Sequence, residues 1–207
     1  MSTYGTLQDR IADELARTDL TTQIQYAIKD SIKHYQGTKF WFNQMYRVTA
    51  TLSTSAATLA LSAFAYPPLA IDMLRIADSS HEYVALNAPY ADVAAQLDAV
   101  NDTVARPAQY AIYGETILFN AFAQSNYAVI IDGLRKYDEL SATADSNVWT
   151  TDAERLIRAA AKRELYEHVI MDNERAQTMA LVEKREFDNL KAKSAIRASG
   201  KIKPTQF

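Results

Sequence analysis

The chain has 207 residues, enough for one large domain or a domain carrying a sizeable insertion, and its 48% hydrophobic content is enough to fill a core. No apolar run approaches the ~18 residues that a membrane-spanning helix needs, and the absence of cysteine excludes disulfides, Cys-bound zinc, iron–sulfur clusters and thiol nucleophiles. The net charge of −3 is unevenly spread: residues 1–151 carry 10 basic and 16 acidic side chains, residues 152–207 carry 12 and 9, and no acid follows Asp188. That distribution predicts a mildly acidic body ending in a basic tail. The opening MSTYGTLQDR has neither a basic start nor an apolar stretch, so no signal peptide is expected.

Leu7, Ile11 and Leu15 recur at the spacing that lines one helix face, with Thr6 and Asp9 as a candidate capping box. Arg17-Thr18-Asp19 interrupts the pattern and offers Thr18 or Asp19 as the next N-cap. Leu20, Ile24, Ala27, Ile28, Ile32 and Tyr35 mark one face of a second helix, and Gly37 is placed to end it. After KFWFNQMY the period shortens to two. Tyr46–Leu52 alternates as a strand does, and TLALSAF, Leu74–Ala77 and Glu82–Leu86 follow as further strands. Tyr66-Pro67-Pro68 fits neither a helix interior nor a central strand. Pro89 opens a short helix through Val93, Leu97 and Val100.

RPAQYAIYGETILF at 106–119 reads as two strands around Gly114-Glu115, with Tyr110 and Ile112 on one face and Gln109, Ala111 and Tyr113 on the other. Tyr127–Leu134 is the last strand, and DELSATADSN at 138–147 is a polar linker. Thr151 with Glu154 forms a second candidate capping box. Ile157, Ala161, Leu165 and Val169 then make a helical stripe that breaks at Asp172-Asn173 and resumes through Ala176, Met179, Ala180, Phe187 and Leu190. GKIKPTQF at 200–207 has no period and reads as an unanchored tail.

Two helices, six or seven short strands and two more helices predict an α+β fold. Neither helical pair can bury its apolar stripe alone, so the first and last helices form a bundle, with the strands inserted as a mostly antiparallel β-sheet module. The expected divisions are the N-terminal helices at 1–43, the inserted β module at 44–137, the C-terminal helices at 138–196 and an extended tail at 197–207.

Catalytic constellations are not legible. His34, His81 and His168 are far apart in sequence, and no two histidines lie one helical turn apart as a zinc helix requires. A di-iron helix needs Glu and His three residues apart; with His168 that position is Leu165, so Glu164 to His168 reads as a charged helix face. The five glycines never form a phosphate-binding loop. Ser79-Ser80-His81-Glu82 has hydrolytic atoms, but strand neighbours point to opposite faces. No catalytic residue, metal or cofactor is expected. Phe40, Trp41 and Phe42 offer stacking surfaces for a nucleic acid, yet basic residues do not surround them. Core packing at the joint between bundle and sheet is the reading preferred for those aromatics.

Taken as a series, DLTTQIQYAIKDSIKHY followed by KFWFNQ, YPPLAIDMLRI, PYADVAAQLDAVN, RPAQYAIYGETILF and SNVWTTDAERLIRAAAKRELYEHVIMDNERA resembles the tailed-bacteriophage head–tail connector, or adaptor, proteins over residues 5–190. The resemblance implies a non-enzymatic virion protein, made in the host cytoplasm and placed at the head–tail junction. It implies about a dozen copies in a ring on the dodecameric portal protein, extending the DNA channel and docking tail or nozzle proteins, with no membrane partner. Genomic DNA would pass through without specific binding, as an acidic channel-facing body repels phosphate. C-terminal segments of the family reach toward the portal, which singles out Arg197, Lys201, Ile202, Lys203 and Phe207 as portal contacts. Arg106 is left as a subunit-interface contact or a local anchor for its loop. The alternative function is a nucleic-acid-binding packaging accessory or regulator, which a steeply salt-dependent affinity for DNA would mark.

Overall fold

A computed structural model of the chain describes residues 2–99 and 104–199. The elements run α1 (Tyr4–Leu15), α2 (Thr21–Tyr35), β1 (Gln44–Leu52), β2 (Thr58–Ala60), β3 (Pro68–Ala77), β4 (Glu82–Val84), β5 (Leu86–Asn87), α3 (Tyr90–Ala99) and β6 (Val104–Ala105). They continue as β7 (Gln109–Tyr113), β8 (Thr116–Phe119), β9 (Phe122–Ala123), β10 (Tyr127–Arg135), α4 (Val148–Thr151), α5 (Glu154–Leu165) and α6 (Asn173–Ser199). The fold is α+β, in two compact units. One unites the described parts of Met1–Asn43 and Tyr137–Phe207, and the other takes in those of Gln44–Lys136.

The helical unit closes around Leu7 and Ile11 of α1, Ile24 and Ile28 of α2, Leu156 and Ile157 of α5, and Trp149 of α4, all fully buried. Leu7, Ile11, Ile24, Ile28 and Ile157 are predicted stripe positions; Leu156 and Trp149 are not, and the predicted Val169 is 41% exposed. Burial of this core is the main favourable term holding the helices together. The aromatic run after α2 joins the same core. Phe40 is fully buried, its ring stacks on Phe42 at 5.3 Å, and Phe42 meets Trp149 edge-on at 5.2 Å.

The helix ends differ from the sequence expectation. The reciprocal box on α1 joins Thr3 and Thr6, not Thr6 and Asp9, and Asp9 is left exposed. The N-cap position of helix α2 is Leu20, which has no side-chain acceptor, and Asp19, one residue earlier, is gripped by Arg17 through two bonds of 2.7 Å each. That grip lowers the Asp19 carboxyl to about 2. Gly37 is not used as a left-handed end, since α2 closes at Gln36 in the right-handed region. The second expected box, Thr151 with Glu154, is replaced by Asn147 with Thr150 at the head of α4.

The expected linker at 138–147 is pinned. The Tyr4 and Gly5 amides, unpaired within α1, each donate over 2.8 Å to Asp145 O and Thr143 O. The Asp145 carboxylate accepts from the Ser141 and Ala142 amides, which holds it below its ordinary range. The expected break at Asp172-Asn173 is real. Residues Tyr166–Ile170 widen into a π-helical turn, Met171 turns left-handed at φ 60°, and α6 starts two residues on. Helix α6 then continues through Arg197 to Ser199.

In the sheet unit one antiparallel sheet has the order β1-β10-β3-β4, and a second has the order β2-β8-β7-β5. Two short pairings, β5–β7 and β6–β9, are parallel. Pro68 sits at the first position of β3, where its missing amide does least harm. One buried cluster draws on both sheets, with Leu52, Leu74, Ile76, Val129 and Ile131 from the first and Leu59, Ile117 and Phe119 from the second. The β7–β8 hairpin is interior to the second sheet and turns at Gly114, φ +58°. Its expected alternation fails: Tyr110 and Ala111 are both buried, while Ile112 and Tyr113 are exposed. Helix α3 packs against β7 and β8, burying residues on the face that would otherwise meet solvent.

An ionic lattice spans the first sheet. At a bulge in β1, Arg47 takes φ 52°, a conformation that costs a non-glycine residue about 1–2 kcal/mol. Compensating bonds surround it. The Arg47 amide donates to Asp132 Oδ1 at 2.7 Å, and its guanidinium grips Glu82 at 2.8 and 2.6 Å. Arg75 bonds Asp132 at 2.6 Å and lies 3.5 Å from Glu82. Residues on β1, β10, β3 and β4 are thereby tied together.

Candidate assembly surfaces

The residues singled out from sequence fall into both units. Arg106 lies between β6 and β7, its guanidinium 3.9 Å above the Tyr83 ring and 3.5 Å from the Asp78 carboxylate. Asp78 accepts the Ser80 and His81 amides at 2.8 Å each, which, with Arg106 a smaller contributor, keeps its carboxyl below the usual range. Tyr83 donates its hydroxyl to Pro107 O at 2.7 Å. Arg106 thus clamps the turn after β3 to the strand leading into the β7–β8 hairpin, while its side chain stays 40% exposed.

Arg197 is on the last turn of α6, with its guanidinium 4.6 Å from the Trp41 ring centroid. The Trp41 amide donates to Ser194 Oγ at 3.2 Å, and Lys191 Nζ reaches Lys39 O at 3.4 Å. Arg197 therefore belongs to a ladder that ties the end of α6 to the segment after α2. Lys201, Ile202, Lys203 and Phe207 lie outside the described residues.

Helix α6 is held farther back by a partly buried ionic pin. Glu183 is 8% exposed and accepts from Tyr35 of α2 and from Arg163 Nε of α5, the latter at 2.6 Å. Burial and the adjacent Glu183 carboxylate push the Tyr35 phenol well up. Nearby, burial and then the charge of Asp30 raise the Glu164 carboxyl. His34 and His168 are exposed on this unit, and His81 is 73% exposed on the sheet unit. Among the described residues no group of three or more His, Asp or Glu side chains is arranged to hold a metal ion.

The outer side of α5 and α6 carries an open groove of about 520 Å³, between the start of α5 and the distal half of α6. Leu156 and Leu190 lie at its buried side, Ile196 is 63% exposed at its rim, and Asp152, Arg155 and Lys193 bring charge to it. A smaller hollow of about 190 Å³ follows, lined by Arg155, Arg158, Lys162 and Arg185. Glu14 and Glu154 neutralise Arg158, and Glu14 also holds Lys162. Arg155 and Lys193 are exposed, with no carboxylate partner among the described residues. Neither is among the site residues expected from the sequence, where Lys193 figures only as part of the basic run after Asp188. The signal available was the basic excess of the C-terminal third.

A sequence profile of the SU10 adaptor protein matches residues 2–203, and the chain belongs to that family. It is a structural adaptor protein of a bacteriophage and hence a virion component. No curated protein matches the chain. No helix among the described residues is long and apolar enough to cross a membrane.

Proposed function

We propose that this chain is the ring-forming subunit of a head–tail connector. About a dozen copies sit beneath the portal, continue its DNA channel and present a platform to the tail or nozzle proteins. The observation that carries this reading is the family match over residues 2–203, which takes in both structural units. The excess of acidic side chains in residues 1–151 supports a channel that repels DNA phosphates, so that the genome slides without specific binding.

In this reading Arg197, Lys201, Ile202, Lys203 and Phe207 contact the portal. The anchoring of α6 through Arg197 and Ser194 to Trp41 supports a fixed point of departure for that segment. Arg106 contributes to the contact between neighbouring copies through the exposed part of its side chain. Deleting 197–207 is expected to abolish association with the portal while the free chain stays folded; normal association of the truncated chain would refute the tail assignment. Electron microscopy of the particle tests the whole reading, with a ring of this chain between portal and tail as the expected result. Density for it elsewhere in the virion would overturn the proposal.

A further inference from the structure

On helix α1 the buried positions are Tyr4, Leu7, Gln8, Ile11 and Leu15. Arg10 and Glu14 flank that stripe and pair with α5. With 100° per residue, Asp9 and Asp13 fall on the opposite side of the helix, one turn apart and directed away from the core. Both are exposed and have no cationic partner among the described residues. The groove on α5 and α6 holds unpaired Arg155 and Lys193 beside the apolar surface of Leu156, Leu190 and Ile196; of its carboxylates, Glu154 and Glu186 are paired with arginines and Asp152 is exposed.

We propose that the groove receives helix α1 of a second copy, with Asp9 and Asp13 of one subunit facing Arg155 and Lys193 of the next. The inference deepens the ring reading and rests on it, since it names the two faces through which copies join. Three features select this occupant. The unpaired charges differ in sign: Asp9 and Asp13 on one face, and on the other Arg155 and Lys193, which outnumber the single unpaired acid of the groove lining, Asp152. The two faces are different surfaces of one chain, so each copy offers one to each neighbour; such a heterologous contact closes into a ring when its rotation permits. The chain's own segment beyond Ser199 is a poor occupant, because Lys201 and Lys203 would face Arg155 and Lys193.

The chain lacks cysteine and has few lysines near the groove, so a carbodiimide, which joins carboxylates to amines at contact distance, gives a clean report. Concentrated full-length protein at low salt is expected to yield covalent oligomers in which Asp9 or Asp13 is joined to Lys193, with the yield falling as salt screens the charges. The Asp9→Lys/Asp13→Lys variant and the Arg155→Glu/Lys193→Glu variant should each lose association alone, since each pairs like charge with like. Their equimolar mixture should regain it, because both alternating contacts then pair opposite charges. All four positions are exposed, which keeps the variants folded.

Oligomers joined only through other residues, or a mixture that stays monomeric, would overturn the proposal and leave the ring reading standing. A wild-type chain that yields no cross-linked oligomer would also overturn it, while imaging of the particle decides the ring independently. Loss of association in the groove variant alone, together with loss of low-salt DNA binding in that variant, would assign the groove to a nucleic acid and refute the second-copy assignment.

Discussion

The pin formed by Tyr35, Glu183 and Arg163 joins α2, α6 and α5, and its removal should loosen α6 from the bundle. The perturbation is Glu183→Gln, which keeps the shape and removes the charge. Gln offers one acceptor and an amide that donates, so either the Tyr35 hydroxyl or the Arg163 guanidinium meets a donor. A hydrogen bond to a charged group is worth about 1.5–3 kcal/mol. Arg163 is 33% exposed and keeps Glu167 at 3.1 Å, so it recovers part of its loss. The expected cost is about 1–2 kcal/mol. Tyr35→Phe removes one bond from the same carboxylate and should cost about 1 kcal/mol. Because both changes act on one network, the double variant should be more stable than additivity predicts by about 1 kcal/mol. Both tryptophans, Trp41 and Trp149, lie in the helical unit, so their fluorescence during urea unfolding reports that unit. Additivity within about 0.3 kcal/mol would show that Tyr35 and Glu183 do not act together and would refute this reasoning.

In the sheet unit, Gly133→Ala would place a Cβ 2.0 Å from Ala70 O, backbone that cannot rotate away. The β3–β10 pairing must open, at an expected cost of about 2–3 kcal/mol, and accelerated amide exchange in those two strands is the check. Acid should weaken the fold through Asp78, Glu82 and Asp145, whose carboxyls are all held below their ordinary values. Their contribution is complete above the unfolded pKa of about 4 and is lost as pH falls through the lower folded values, so the loss should appear below about pH 4 in a circular-dichroism titration. Arg106→Ala should cost the free chain no more than about 1 kcal/mol, the scale of an exposed cation–π contact. In the proposed role it should lower ring yield more than that cost explains; unchanged yield would leave Arg106 as the clamp of its turn alone.

Period and composition were enough to read the α+β class, because helix stripes and strand alternation follow directly from which residues must be buried. The caps were less legible. Thr-x-x-Asp and Thr-x-x-Glu occur at 6–9 and 151–154, but Thr3 with Thr6 and Asn147 with Thr150 make the bonds, since a hydroxyl at the third position closes the box as a carboxylate would. Among the described residues ten strands form where six or seven were expected. Pairs such as Leu86-Asn87 and Val104-Ala105 are too short to carry a period and become strands only because a partner lies alongside. The failed alternation at Tyr110-Ala111 has a related cause: α3 covers a face that local sequence marks as open. Long-range ion pairs leave no local trace. Arg47 finds Glu82 35 residues on, and Asp132 is 85 residues away.

The same distinction bears on where function resides. In an enzyme the informative side chains converge, and their spacing often betrays them. In this adaptor the side chains that satisfy one another within the chain, such as Arg47 with Glu82 or Arg10 with Glu154, stiffen the subunit and have little left to offer a partner. The informative residues are those left over once such pairs are removed. On the helical unit Asp9 and Asp13 on one face, and Arg155 and Lys193 on another, are among the exposed charges that such pairs leave over; Asp30, Lys33, Asp152 and Asp188 are others. Separated opposite charges of this kind are screened and nearly idle in a free monomer. They gain value only when a second copy removes them from water, where attraction between them rises as the effective dielectric falls. Under the proposed contact, a subunit held together by its buried core meets its neighbour through charges that folding did not use.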